Sequence, residues 1–115
     1  MPRELRLTPT FFHLLLCLAG AAKHGYAMMQ EIEERTEGGL RLGPSSLYYA
    51  LARLEEAGLI EERAGASAED AVHGERRRYY GLTRVGRRRL KEELALLEGV
   101  MDHARARGMV AEDGR

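Results

Sequence analysis

Between Gly43 and Ile60 the apolar residues Leu47, Ala50, Leu51 and Leu54 recur at the i, i+3, i+4, i+7 spacing of a buried helical face. Ser45, Tyr48, Tyr49, Ala52 and Arg53 fall on its other side. Small hydroxyls, phenols and a guanidinium presented there are hydrogen-bonding groups that reach phosphate oxygens and base edges, and Ser45 and Tyr48 stand near the helix start, where side chains approach bases. Pro44 suits the first helical position, where an N–H would go unpaired anyway, and Gly58 supplies the left-handed residue that stops the helix. An ordinary amphipathic helix with two surface tyrosines has the same stripe, so the flanking segments decide between the two.

A second group of candidates is Arg76, Arg77 and Arg78, followed by Tyr79 and Tyr80. Arginines in a row neutralise phosphates without regard to base sequence. The alternative is a solvated charge run paired with Glu61 and Glu62. Glu69, Asp70 and Glu75 lie in or beside the same segment and oppose insertion of its tip between phosphates. Catalytic chemistry finds no support. His13, His24, His73 and His103 share no metal-ligand spacing, Cys17 has no evident histidine partner, and there is no glycine-rich phosphate loop. No catalytic residue, metal or cofactor is expected.

The elements that must hold these residues follow from punctuation and periodicity. Thr8-Pro9-Thr10 opens a helix running to about Ala22, with Phe11, Leu14, Leu15 and Leu18 on one face and Phe12, Leu16 and Ala19 on another. Two apolar faces call for two partners: the chain's own core on one side and either the same core or a second subunit on the other. Lys23-His24-Gly25 breaks the pattern, and a second helix covers Tyr26 to Thr36, with Tyr26, Met29 and Ile32 or Glu33 marking its inner side. Gly38-Gly39 ends it, and Leu40-Arg41-Leu42 leads into the helix at Pro44. Helix, glycine-containing turn and second helix are the order of a helix-turn-helix. Leu59 to Arg63 and Arg76 to Leu82 then read as two strands of a hairpin, a wing, whose small polar spacer forms a mobile tip. Thr83 caps a final helix of about twenty residues. Along it Leu90, Leu94, Leu97, Met101 and Ala104 repeat at alternating spacings of four and three, the seam of a coiled coil. Docking on the monomer's own core is the other reading of that stripe.

The 115 residues make one domain of modest core. Eighteen basic and eighteen acidic residues cancel, so only the distribution of charge argues for a partner. It is uneven: Arg76, Arg77, Arg78, Arg84, Arg87, Arg88 and Arg89 cluster, while acids gather at Glu31 to Glu37, Glu55 to Glu62 and Glu92 to Glu98. A single cysteine excludes an internal disulfide and fits a reducing cytoplasm. The apolar run Phe11 to Ala22 is too short to span a bilayer, so no membrane or export role is expected.

Taken in order, His24-Gly25-Tyr26, Ile32-Glu33-Glu34-Arg35, Leu42-Gly43-Pro44, Leu47-Tyr48, Ala50-Leu51, Arg53-Leu54-Glu55, Gly58-Leu59-Ile60, Arg77-Arg78-Tyr79-Tyr80, Leu82-Thr83 and Gly86 closely resemble the PadR family of transcriptional regulators. Each piece is short; their order and spacing are specific, over residues 8 to about 95. The resemblance implies a mainly α fold with a small β-hairpin, a winged helix-turn-helix plus a C-terminal dimerisation helix in the short form of the family. It implies a homodimeric repressor with the helix at Pro44 in the major groove of a near-palindromic operator and the wing near the minor groove. Ser45 and Ser46 occupy positions where the family often has glycine and threonine, and Tyr49 one where proline or glycine is common.

The expected organisation is a DNA-binding domain over 1–82, a dimerisation helix over 83–107 packed on it, and a flexible tail over 108–115. DNA contacts are expected from Ser45, Ser46, Tyr48, Tyr49, Arg53, Arg76, Arg77, Arg78 and Tyr79, and dimer contacts from Phe11, Phe12, Leu90, Leu94, Leu97 and Met101. Some relatives bind flat aromatic molecules at the dimer interface. With no tryptophan in this chain, Phe11, Phe12 and the tyrosines would supply any stacking surface for a small-molecule effector. The competing reading is a dimeric ligand-sensing or protein-interaction module with little affinity for DNA.

Overall fold

The computed structural model describes residues 5–64 and 78–111. Helix α1 spans Pro9–Cys17, and the Thr8 side chain accepts a hydrogen bond from the Phe11 N–H to cap it. The helix stops five residues short of the expected Ala22. Its last turn closes through Leu18 and Ala19, leaving Lys23–His24 free to form a two-residue strand, β1, which the sequence reading took for a simple break. Helix α2, Gly25–Arg35, is capped by the His24 imidazole, whose Nδ1 accepts from the Ala27 N–H. Its inner side is Gly25, Met28 and Ile32. This corrects the expected register: Tyr26 is exposed and Met29 only half-buried, because the helix begins one residue earlier and Met28 takes the inward position. The left-handed residue that ends α2 is Glu37, followed by Gly38.

Helix α3, Pro44–Glu56, buries Leu47, Ala50, Leu51 and Leu54, the four residues that the spacing assigned to the core. Gly58 is left-handed, the Gly58 N–H bonds the Glu55 carbonyl, and the Leu59 N–H bonds back to Leu54. That double closure drives Leu59 into the core. Strand β2 is Ile60–Arg63, and β3 is Tyr79–Leu82. Arg76, Arg77 and the proposed tip from residue 65 onward lie outside the described residues.

The sheet is a three-stranded antiparallel one in the order β1-β3-β2, with Ile60 opposite Leu82 and Lys23 opposite Tyr80. Tyr80 and Leu82 point into the core, and Tyr79 is half-buried with its ring edge-on to His24 at 5.4 Å. The hairpin therefore rests on the helix-turn-helix through β1, a strand that the wing needs and the sequence pattern hid.

Helix α4, Arg84–Ala106, starts at Thr83, whose hydroxyl accepts from the Gly86 N–H and donates to the Gly58 carbonyl at 2.6 Å. One side chain thus caps α4 and fixes it to the end of α3. The Arg87 guanidinium donates to the Ala19 carbonyl at the end of α1, and Arg89 donates to the Leu5 carbonyl. The first turns of α4 are stitched to the domain, and Leu90 is 3% exposed within its core. Beyond Leu90 the helix leaves the domain, and Leu94, Leu96, Leu97, Val100 and Met101 are exposed. Leu90, placed in the expected dimer seam, is instead a core residue of its own chain. The expected tail is described only to residue 111, and its first residues close α4 through Gly108 and Met109.

Between α1 and α2, Arg35 donates to the His13 carbonyl at 3.0 Å, to His13 Nδ1 at 3.3 Å and to the Cys17 sulfur at 3.6 Å. It also pairs with Glu31 at 2.8 Å, and Glu31 receives Lys23 on its other oxygen. Cys17 is buried, and burial pushes its thiol up from its ordinary value. It packs as a small apolar group rather than as a nucleophile.

Candidate nucleic-acid interface

With its apolar stripe buried, α3 turns Ser45, Ser46, Tyr48, Tyr49, Ala52 and Arg53 to solvent. Their placement differs across that face. At roughly 100° per residue, Ser45, Tyr49 and Ala52 follow the line most nearly opposite the core, Tyr48 lies on one flank, and Ser46 and Arg53 lie on the other. The Tyr48 flank faces α2. A Cβ placed on Gly25 would stand 3.3 Å from the Tyr48 hydroxyl and 2.9 Å from the Leu47 side chain, so the phenol edge lies against the first residue of α2. Gly25 is what allows the two helices of the motif to approach this closely.

On the other side, Arg53 Nη1 donates to the Tyr49 hydroxyl at 3.0 Å, and its guanidinium carbon lies 5.9 Å from the Tyr49 ring centroid. Arg53 also lies within 3.8 Å of Glu56. In the hairpin, Arg78 pairs with Glu62 at 3.5 Å and is exposed. The Tyr80 phenol and then the Glu62 carboxylate hold its guanidinium above the ordinary value. Arg63 lies across Gly81, donating to the Leu82 carbonyl at 2.7 Å and pairing with Glu61. Both described wing arginines are thus tied to acidic neighbours, and the Arg78–Glu62 pair is of the kind that the alternative reading of the arginine run expected.

Of the candidate DNA-contacting residues, the structure gathers Ser45, Ser46, Tyr48, Tyr49 and Arg53 on one helix face. Arg78 and Tyr79 belong to the hairpin, and Tyr79 contacts His24 rather than standing wholly free. Tyr26, expected on the inner side of α2, is 55% exposed at the start of that helix, beside the glycine that Tyr48 touches. Among the described residues no group of histidine, cysteine or carboxylate side chains is arranged to hold a metal ion. No helix among them is long and apolar enough to cross a membrane.

The profile of the transcriptional regulator PadR-like family matches residues 14–92, from α1 to the first turns of α4. The chain belongs to this family. Its members are transcriptional regulators rather than enzymes. The chain is 34% identical over 96 residues to the transcriptional regulator Rv3488 of Mycobacterium tuberculosis, covering 84% of this chain and 82% of that protein. Among solved structures it is similar to a transcriptional regulator from Clostridium thermocellum, with TM-score 0.62 and 28% identity over 82% of this chain and 87% of the other. The fold is also that of Bacillus subtilis PadR in complex with operator DNA, with TM-score 0.60 and 22% identity over 72% of this chain and 45% of that one. These likenesses make the architecture a PadR winged helix, mainly α with a small antiparallel sheet. The hairpin expected from the sequence is there, with β1 added.

Proposed function

We propose that the protein is a homodimeric repressor that binds a near-palindromic DNA operator through α3 and supports that contact with its wing, working in the cytoplasm. The observation that carries this reading is the face of α3: the stripe Leu47, Ala50, Leu51 and Leu54 is buried, and hydroxyls, phenols and a guanidinium occupy the exposed side of the second helix of a helix-turn-helix. The PadR structure in complex with operator DNA adds support from the same fold. A second reading, a dimeric interaction or ligand-sensing module with little DNA affinity, draws on the Arg78–Glu62 and Arg63–Glu61 pairs, which reduce the positive field of the wing.

The test is retention of genomic DNA fragments by the purified protein, followed by footprinting and by transcription from a retained promoter. Repression requires that added protein lower transcript yield. A two-fold dimer predicts protection of two related half-sites about 10 base pairs apart, or a multiple of that. No preference for any fragment over random DNA, at low salt as well as high, would transfer the function to the interaction-module reading.

A further inference from the structure

We infer that Tyr49, held by Arg53, is the specificity-determining side chain of α3, and that its neighbour Tyr48 is a positioning residue that sets α3 against α2. The inference rests on the DNA-binding reading above and revises the expectation that Tyr48 reads bases.

The two tyrosines are adjacent in sequence and both exposed, but their hydroxyls meet different surroundings. Tyr48 lies on the flank of α3 with its phenol edge against Gly25, so its hydroxyl points toward the junction of two helices rather than along the outward line of α3. Tyr49 lies close to the outward line of the helix, between Ser45 one turn before and Ala52 one turn after, and is 63% exposed. Ala52 matters here because a larger side chain at that position would stand between the phenol and a groove.

The hydrogen bond from Arg53 decides what Tyr49 can recognise. A phenol has one proton to donate and lone pairs to accept with. Arg53 Nη1 takes an acceptor position at 3.0 Å, and the guanidinium lies beside the ring, so both groups are already ordered before DNA arrives. The phenolic proton remains to be donated. Arg53 holds further N–H donors in the same plane. The pair is therefore a donor array, complementary to base edges that present acceptors in the major groove: guanine, with N7 and O6, before thymine, with O4. A cytosine edge presents an amino donor, which can use only the lone pair left on the phenol and matches none of the donors of the pair.

The experiment starts from the duplex that the wild-type protein enriches from a randomised library. Its affinity is compared with that of a scrambled duplex for Tyr49→Phe, Tyr48→Phe, Arg53→Lys and the combination of Tyr49→Phe with Arg53→Lys. Circular dichroism melting of each variant accompanies the measurement. Tyr49→Phe is expected to narrow the ratio of the two affinities by about 5- to 150-fold, the range for one lost base contact. Arg53→Lys, which keeps the charge but loses the planar donor, is expected to narrow it similarly, with the double variant falling little further because the two act as one unit. Tyr48→Phe is expected to narrow it far less than Tyr49→Phe does. Replacing the guanine of the enriched site that Tyr49 reads should cost the wild type affinity and cost Tyr49→Phe nothing.

The inference is overturned if Tyr49→Phe preserves the ratio, if Tyr48→Phe narrows it as much as Tyr49→Phe does, or if the losses at Tyr49 and Arg53 add in full. If the wild-type protein enriches no duplex at all, the DNA-binding reading itself has failed, a result distinct from each of these.

Discussion

At Gly86 a hydrogen atom stands where any other residue would place a methyl group 1.9 Å from the Leu59 carbonyl oxygen. That carbonyl already accepts from the Thr83 N–H, and neither backbone has room to retreat without loosening the join between α3 and α4. Gly86→Ala is therefore expected to destabilise the protein by about 1–3 kcal/mol or more, the range for overpacking a filled site. Gly99 gives the opposite sign. It lies in the middle of α4 with no atom within 4 Å of its would-be Cβ, so Gly99→Ala is expected to stabilise by about 0.5–1 kcal/mol through helix propensity. Urea unfolding of both variants checks the pair, and equal effects would show that the Leu59 contact is unimportant. Neither role was legible in the sequence, where both glycines interrupt the same helix. Gly58 was legible because a helix stop follows from local backbone rules alone, whereas Gly86 answers to a carbonyl more than two dozen residues away.

Elements were legible where one periodic stripe met one core. The apolar spacing of α3 reproduced its buried face in full, and Thr83 was recognised as the cap of α4. The same reasoning misplaced the inner side of α2 because Gly25, read as a breaker, is the buried first residue of that helix, and it missed β1 because two residues carry no periodicity. The cluster between α1 and α2 was only partly visible: Glu31 and Arg35 are an i,i+4 pair on one helix, but His13 joins them only when the helices pack. Its acid sensitivity follows from the directions of the shifts. Burial, then the Arg35 cation, lowers His13 below 6.5, so its stabilising share is complete above that value and is lost as pH falls from there through the folded-state pKa. Burial raises Glu31, but hydrogen bonds from Lys23 and Arg35 outweigh it and bring the carboxylate below 4.5, so its share is lost only at lower pH. Thermal midpoints of the wild type are expected to decline in two stages on acidification, and His13→Gln to remove the first while leaving the second. A variant that retained the decline just below 6.5 would place the proton uptake elsewhere.

For the whole molecule, the outer half of α4 is the part that a single protomer leaves unexplained. Leu94, Leu97 and Met101 continue the line of Leu90 after it has left the core, and Leu96 and Val100, at 66% and 61% exposure, widen the apolar arc well beyond a narrow two-helix seam. A charged outer face would have sufficed for a helix that merely ended in water. An arc this broad suits burial against more than one helix of a second copy, with the half-buried Phe11 and Phe12 of α1 as the available apolar surface nearer the domain. Leu90, buried by its own chain, has almost no surface left to offer a partner. Leu94→Glu combined with Leu97→Glu is therefore expected to yield monomers by sedimentation velocity, with the helical signal of the domain retained. Those monomers should bind the two-half-site duplex at least tenfold more weakly than the wild type, in line with loss of one linked half-site. They should still bind a single half-site as the wild type does, since α3 lies outside the altered surface. A double variant that sediments as a dimer would place the interface on other residues; a monomer that binds the full duplex undiminished would separate operator recognition from dimerisation.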